Sequence, residues 1–234
     1  MFMKAAIAAT LLVVASPLAA QVTGGSLGVE YNAPTDGGDL GGTTYSGALE
    51  YAINRNFAVS VDLAGYRLDN IDTDAVSGTL HGVYHLNELT SFGVFYGADD
   101  LDGADAVSLY GLEAGTEFGQ AEIEGYIGQL EGNEDDALIF GFDANYDFSN
   151  GFSITGSGGF TDVDDFSLSR VAIGGQYEIT GGPQFYAEIG NVSAEFEGFD
   201  DDETFVGVGA RLAFGAERGT TFGQRSLFEI LPGF

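Results

Sequence analysis

Ala137-Leu138-Ile139-Phe140-Gly141-Phe142-Asp143-Ala144-Asn145-Tyr146-Asp147-Phe148 is the stretch on which the fold turns. Leu138, Phe140, Phe142, Ala144, Tyr146 and Phe148 take every second position, and Ala137, Gly141, Asp143, Asn145 and Asp147 fall between them. Side chains alternate across a strand, so a period of two predicts a β-strand with one apolar and one polar face. The same reading holds for Tyr45, Gly47, Leu49, Tyr51 and Ile53 against Thr44, Ser46, Ala48 and Glu50. It holds again for Val76, Leu80, Tyr84 and Leu86 against Ser77, Thr79, His81 and His85.

Working outward from these, twelve strands are expected near 24–33, 43–53, 57–67, 75–86, 91–98, 106–118, 120–130, 137–148, 152–161, 166–179, 184–193 and 204–214. Tight turns are expected at Asn54-Arg55-Asn56, Asn87-Glu88-Leu89-Thr90, Gly119, Ser149-Asn150-Gly151 and Thr180-Gly181-Gly182-Pro183, where Asn and Gly supply turn chemistry. Between them come 34–42, 68–74, 99–105, 131–136, 162–165 and 194–203, mostly longer and rich in Asp. An even strand number, short turns on one side and longer loops on the other predict a closed antiparallel transmembrane β-barrel with periplasmic turns and acidic extracellular loops. Tyr51, Tyr84, Phe118, Phe148 and Tyr177 sit near the short-turn ends, as an interfacial aromatic girdle would. A soluble sandwich produces alternation too, but it would need an interior for unusually many strand-end aromatics.

The first twenty residues read as a signal peptide: Lys4 in the n-region, an apolar run from Ala5 to Ala15, and Leu18-Ala19-Ala20 before the expected cut. The domains expected are therefore 1–20 signal peptide, 21–214 barrel and 215–234 C-terminal extension. Past residue 20 every apolar run is broken within a few residues, which excludes a second spanning helix. With 36 acids against 7 bases the formal charge is −29, and Lys4 is the one lysine. That balance excludes nucleic acid as a partner. Cysteine is absent, so hydrogen-bonded strands rather than disulfides carry the stability.

Gly151-Phe152-Ser153-Ile154-Thr155-Gly156-Ser157-Gly158-Gly159-Phe160 and Thr204-Phe205-Val206-Gly207-Val208-Gly209-Ala210-Arg211-Leu212-Ala213-Phe214 are similar to late strands of Gram-negative porins. With the signal peptide, tight turns and acidic loops, the chain resembles a short variant of the general-diffusion type. The resemblance implies an outer-membrane location, passive diffusion of small hydrophilic solutes and a homo-oligomeric, often trimeric, assembly. It departs from that family in being short, and no connection is long enough to fold into the pore as a constriction loop. Phe214, with Leu212, Ala210, Val208 and Val206 on its face, fits the terminal-strand signal read by the barrel-assembly machinery better than Phe234 does. Residues 215–234, with Arg218 and Arg225, then read as a periplasmic tail, a segment bound at the acidic barrel mouth, or a thirteenth atypical segment.

With the aromatic face toward lipid, the pore-lining residues are Glu30, Glu50, Asp62, Glu113, Glu117, Glu122, Glu124, Asp143, Asp147, Glu178 and Glu188, answered by Arg170 and Arg211. A low-dielectric wall of one sign concentrates counter-ions, so a cation preference is expected. Twelve strands lie between the filled eight-stranded and the open sixteen-stranded barrels, which leaves an open pore and a side-chain-filled one as alternatives. A non-conducting surface barrel whose acidic loops hold divalent ions or a partner is the alternative function. His81 and His85 are about 13 Å apart along one strand and cannot share a metal. The acidic runs lack complete calcium-loop spacing, so no metal site and no cofactor is assigned. No nucleophile and base pair points to an enzyme.

Overall fold

The computed structural model describes residues 22–35, 41–68, 74–132, 136–163, 166–196, 199–215 and 219–231. Twelve strands run β1 (Val22–Pro34), β2 (Gly42–Ala52), β3 (Phe57–Leu68), β4 (Asp74–His85), β5 (Thr90–Leu101), β6 (Val107–Phe118), β7 (Ala121–Glu131), β8 (Asp136–Asp147), β9 (Phe152–Val163), β10 (Phe166–Glu178), β11 (Gln184–Phe196) and β12 (Phe199–Gly215). Each pairs antiparallel with its sequence neighbours, and β1 closes on β12 from Gly24↔Gly215 to Pro34↔Phe205. Closure leaves no strand edge unpaired, which a barrel in lipid requires because hydrocarbon cannot satisfy a free backbone N–H or C=O. A single 3-10 turn at Leu227–Glu229 completes the described elements. No described helix is long and apolar enough to cross a membrane.

The alternation read from sequence is inverted relative to a water-soluble protein. In β3, Ala58, Ser60, Asp62, Ala64 and Tyr66 are buried inside, while Leu63, at 60% exposure, and Phe57, Val59 and Val61 point outward. Leu80, Leu112, Val171 and Ile173 continue this apolar exterior around the wall. A continuous apolar belt outside a polar interior is the arrangement of a barrel that sits in lipid. Tyr84, Phe118, Phe148 and Tyr177 are exposed at the short-turn ends.

The short turns form as their residues dictate. Asn54 Oδ1 accepts from the N–H groups of Asn56 and Phe57, and Asn87 Oδ1 from those of Leu89 and Thr90, so each side chain replaces a missing ladder partner. Gly119, Gly151 and Gly181 adopt φ between +67° and +79°, a region costly for residues with a Cβ.

At the opposite end the strands run further than the polarity of the sequence indicates. Asp99, Asp100 and Leu101 belong to β5, and Asp162 and Val163 to β9, instead of starting loops. The expected connection 194–203 is largely paired strand, with Ala194↔Asp201 and Ser193↔Asp202 in register. Backbone pairing is indifferent to side-chain charge where the polar groups still reach water or, as at the buried Asp99, a hydrogen-bond donor, so polarity alone ends these strands too early. Glu134, Asp135 and Asp165, like the expected signal peptide, lie outside the described residues.

Candidate functional site

All thirteen residues expected to line the pore occupy inward strand positions. They do not line one open, uniformly acidic bore, because residues 219–231 run through the barrel and are held by its wall. This differs from a free periplasmic tail or a thirteenth strand. The segment starts beside β1, where Gly219 lies against Gly25. The Thr221 N–H donates to Glu50 Oε2 on β2 over 2.8 Å, near the short-turn end. It finishes near the long-loop end, where the Leu227 N–H donates to Asp99 Oδ2 over 2.7 Å and Phe228 rests on Tyr66 with ring centroids 4.9 Å apart.

Its centre is Arg225. The guanidinium Nε donates to Glu113 Oε2 and Nη2 to Glu124 Oε1, each over 3.0 Å, and the ion lies over the Tyr126 ring at 4.5 Å. Thr79 Oγ1 donates to the Arg225 carbonyl over 2.7 Å. Glu124 Oε1 also accepts from the Gly223 N–H. Glu113 continues the network on its other oxygen: Oε1 is 2.8 Å from His81 Nδ1, and His81 Nε2 is 2.9 Å from Asp62 Oδ2. Five groups from β3, β4, β6, β7 and the segment thus form one alternating chain, Asp62, His81, Glu113, Arg225, Glu124. An arginine fork held by two carboxylates satisfies charges that would be costly to bury singly.

The wall is shaped for this occupant. Inward positions of β5 alternate between side chains and bare backbone, and a Cβ built on Gly93 would stand 2.7 Å from Phe222. A Cβ on Gly97 would approach the Arg225 carbonyl oxygen at 3.4 Å, and one on Gly159 would meet Ile230 at 2.8 Å. These glycines form the groove along which the segment lies. Phe222 seats against Ala58 and Val83. Ile230 joins Phe95, Leu109, Leu130, Ile139 and Leu168 in a small apolar core inside the barrel near the long-loop end.

That core corrects the expectation of a wholly polar inner face. Ile139 and Leu109 are fully buried, yet both occupy inward positions. The sequence carries a signal for them: Leu138-Ile139-Phe140 is apolar on both faces, which a water-lined wall does not need. Asp99, read as the start of a loop, is likewise an inner-wall residue that sequence reasoning missed.

The inward carboxylates divide by what they meet. Glu50, Glu113 and Glu124 bind the segment and Asp62 binds His81. Glu30 accepts from Tyr186 and from Asn32, and Glu188 forms an ion pair with Arg170. Asp147 accepts from Asn145 and Ser153 near the short-turn rim. Glu122 faces Glu117 and Asn145 in register on its neighbouring strands, and Arg211 faces Gly28 and Gln184. Asp143, halfway along β8, is exposed although it faces inward, as are Glu117 and Glu178 near the rim. Glu229 and Gly223 of the segment are exposed as well. Water-sized space therefore remains in the interior beside the segment. His85, the second inward histidine, has its Nδ1 2.9 Å from Ser91 Oγ.

The sequence matches no protein-family model and no curated protein. The fold does match solved structures. The KdgM porin superposes with a TM-score of 0.59 at 11% identity, covering 81% of this chain and 99% of that one. The NanC porin gives 0.59 at 8% identity, covering 80% and 98%. An outer-membrane channel from Pseudomonas putida F1 gives 0.54 at 13% identity, covering 83% and 96%. The shared feature is the closed barrel of outer-membrane porins; at these identities the likeness is one of fold.

Proposed function

We propose that this chain is an outer-membrane channel through which small hydrophilic solutes diffuse passively, with a preference for cations, and that its C-terminal segment sets the width of the bore. The observation that carries this reading is Asp143, which faces inward midway along the wall against space that the segment does not fill, and so sets an acidic group beside a water-sized passage at depth within the barrel. Two of the inward-facing cations are committed: Arg170 to Glu188 and Arg225 to Glu113 and Glu124. Acidic groups in a narrow low-dielectric passage draw cations in and repel anions. The fold it shares with the KdgM and NanC porins supports a channel. A fold alone does not assign an activity.

A second reading is a non-conducting barrel, and the docked segment favours it, since Leu227 and Ile230 pack across the interior at the long-loop end. Single-channel recording in planar bilayers decides between them. With heat-modifiable, folded protein, the channel reading expects discrete conductance steps and a reversal potential of cationic sign in a salt gradient. Silent bilayers would sink it, and an anionic reversal potential would sink the charge argument.

A further inference from the structure

Arg225 is held by a set of groups that need not be permanent to be specific. Glu113 and Glu124 offer two carboxylate oxygens to different nitrogens of one planar cation, and Tyr126 offers a ring face 4.5 Å away. Carboxylates at the edge and an aromatic ring on the face are what recognise a guanidinium in preference to a spherical cation. The seat belongs to the wall: Glu113 is on β6, and Glu124 and Tyr126 are on β7, positioned by the register Glu113↔Tyr126. The segment brings only the occupant, on a stretch outside any strand or helix in which Gly223 is exposed.

We propose that this seat is a binding site for guanidinium-type organic cations, that Arg225 fills it as a tethered occupant, and that such cations compete with the segment for it. The proposal rests on the cation-channel reading and extends it to a solute class. The tether favours the segment, because a ligand joined to the wall by a short stretch of chain, here the ten residues from Gly215 to Arg225, acts at a high effective concentration, about millimolar. A free guanidinium solute therefore displaces it only when abundant. Retention then falls and conductance rises, which couples passage to the presence of the cation. The wall groups left behind, Glu113, Glu124 and Thr79, are polar and are served by water or by the incoming cation.

The test uses the full chain with Arg225→Ala, which empties the seat, and methylguanidinium as the probe. Isothermal titration calorimetry in detergent should show methylguanidinium binding to R225A at least tenfold more tightly than to the unsubstituted protein, whose seat is filled. Tetramethylammonium, which has the charge but no N–H donors, should not bind. Adding Glu124→Gln to R225A should weaken methylguanidinium at least tenfold. If R225A does not fold, Arg225→Met keeps the apolar stem of the side chain, removes the cation from the seat and should give the same ranking. Equal affinity for both cations, or no binding by folded R225A or R225M, overturns the site. Bilayer currents carried by potassium separate the two readings: a conducting R225A indifferent to methylguanidinium overturns the site alone, whereas binding without any current overturns the channel.

Discussion

Arg225 Nη2 stands 3.0 Å from Glu124 Oε1, a residue 101 positions earlier in the chain, and both lie inside the barrel. The Glu113 side chain on the other arm of the fork has no exposed surface. Removing the guanidinium leaves that carboxylate with the His81 ring as its remaining close polar neighbour. Arg225→Ala should loosen the segment by about 3 kcal/mol, the lower end of the cost of breaking a buried pair. Amide exchange at residues 221–228 reads this directly, and unchanged protection would show that the ion pair does not hold the segment.

Steric displacement should reach the same end without removing a charged group. A Cβ on Gly93 meets Glu113 Oε1 at 2.5 Å and Phe222 at 2.7 Å, so Gly93→Val fills the groove where Phe222 lies. The expected outcome is a barrel that still migrates as folded on a heat-modifiable gel, together with a protease-sensitive C-terminus. A protected C-terminus would mean that the segment can be carried elsewhere on the wall.

Covalent retention is accessible because the chain has no cysteine. The Cβ built on Gly159 lies 3.7 Å from Ile230 Cβ, inside the range of a disulfide. Gly159→Cys with Ile230→Cys should oxidise to one species that holds the segment in place. In bilayers, potassium conductance should be lower when oxidised and rise several-fold on addition of dithiothreitol. Identical traces in both states would show that the segment does not limit the current.

The wall itself is tight where β6 meets β7. A Cβ on Gly111 would lie 2.3 Å from the Ile127 carbonyl oxygen and 2.6 Å from Phe95, whereas one on Gly65 meets nothing within 4 Å. Gly111→Ala should cost about 1–3 kcal/mol, the usual cost of overpacking, and Gly65→Ala close to nothing. The temperature at which the folded gel band disappears should fall for the first and hold for the second. Equal behaviour would mean that the ladder at Gly111↔Gly128 is looser than its spacing implies.

Ion preference should follow the groups beside the segment. Asp143→Asn, together with Glu30→Gln, removes two inward carboxylates while leaving the Arg225 network intact. The reversal potential in a tenfold potassium chloride gradient should move toward zero, and more strongly at low salt, where screening is weak. A reversal potential that does not move would place the selectivity elsewhere.

Period-two alternation fixed the strands and their faces, because side-chain direction in a strand is a local property: Leu80 could be assigned outward and His81 inward from neighbours alone. Asn54, Asn87 and Gly151 marked their turns for the same reason. Strand ends at the long-loop side were less legible, since Asp99 and Asp201 are polar residues that remain in the ladder through backbone pairing. The destination of the C-terminal segment is a different kind of fact. Glu50, Asp99, Glu113 and Glu124, which hold it, are spread over four strands. The β6–β7 pairing brings Glu113 and Glu124 together, but Glu50 and Asp99 face the same segment only once β1 has paired with β12 and curved the sheet into a tube. The sequence by itself determined a barrel with an apolar exterior and acids within. Tertiary closure decided which of those acids meet each other, which meet Arg225, and which still face water.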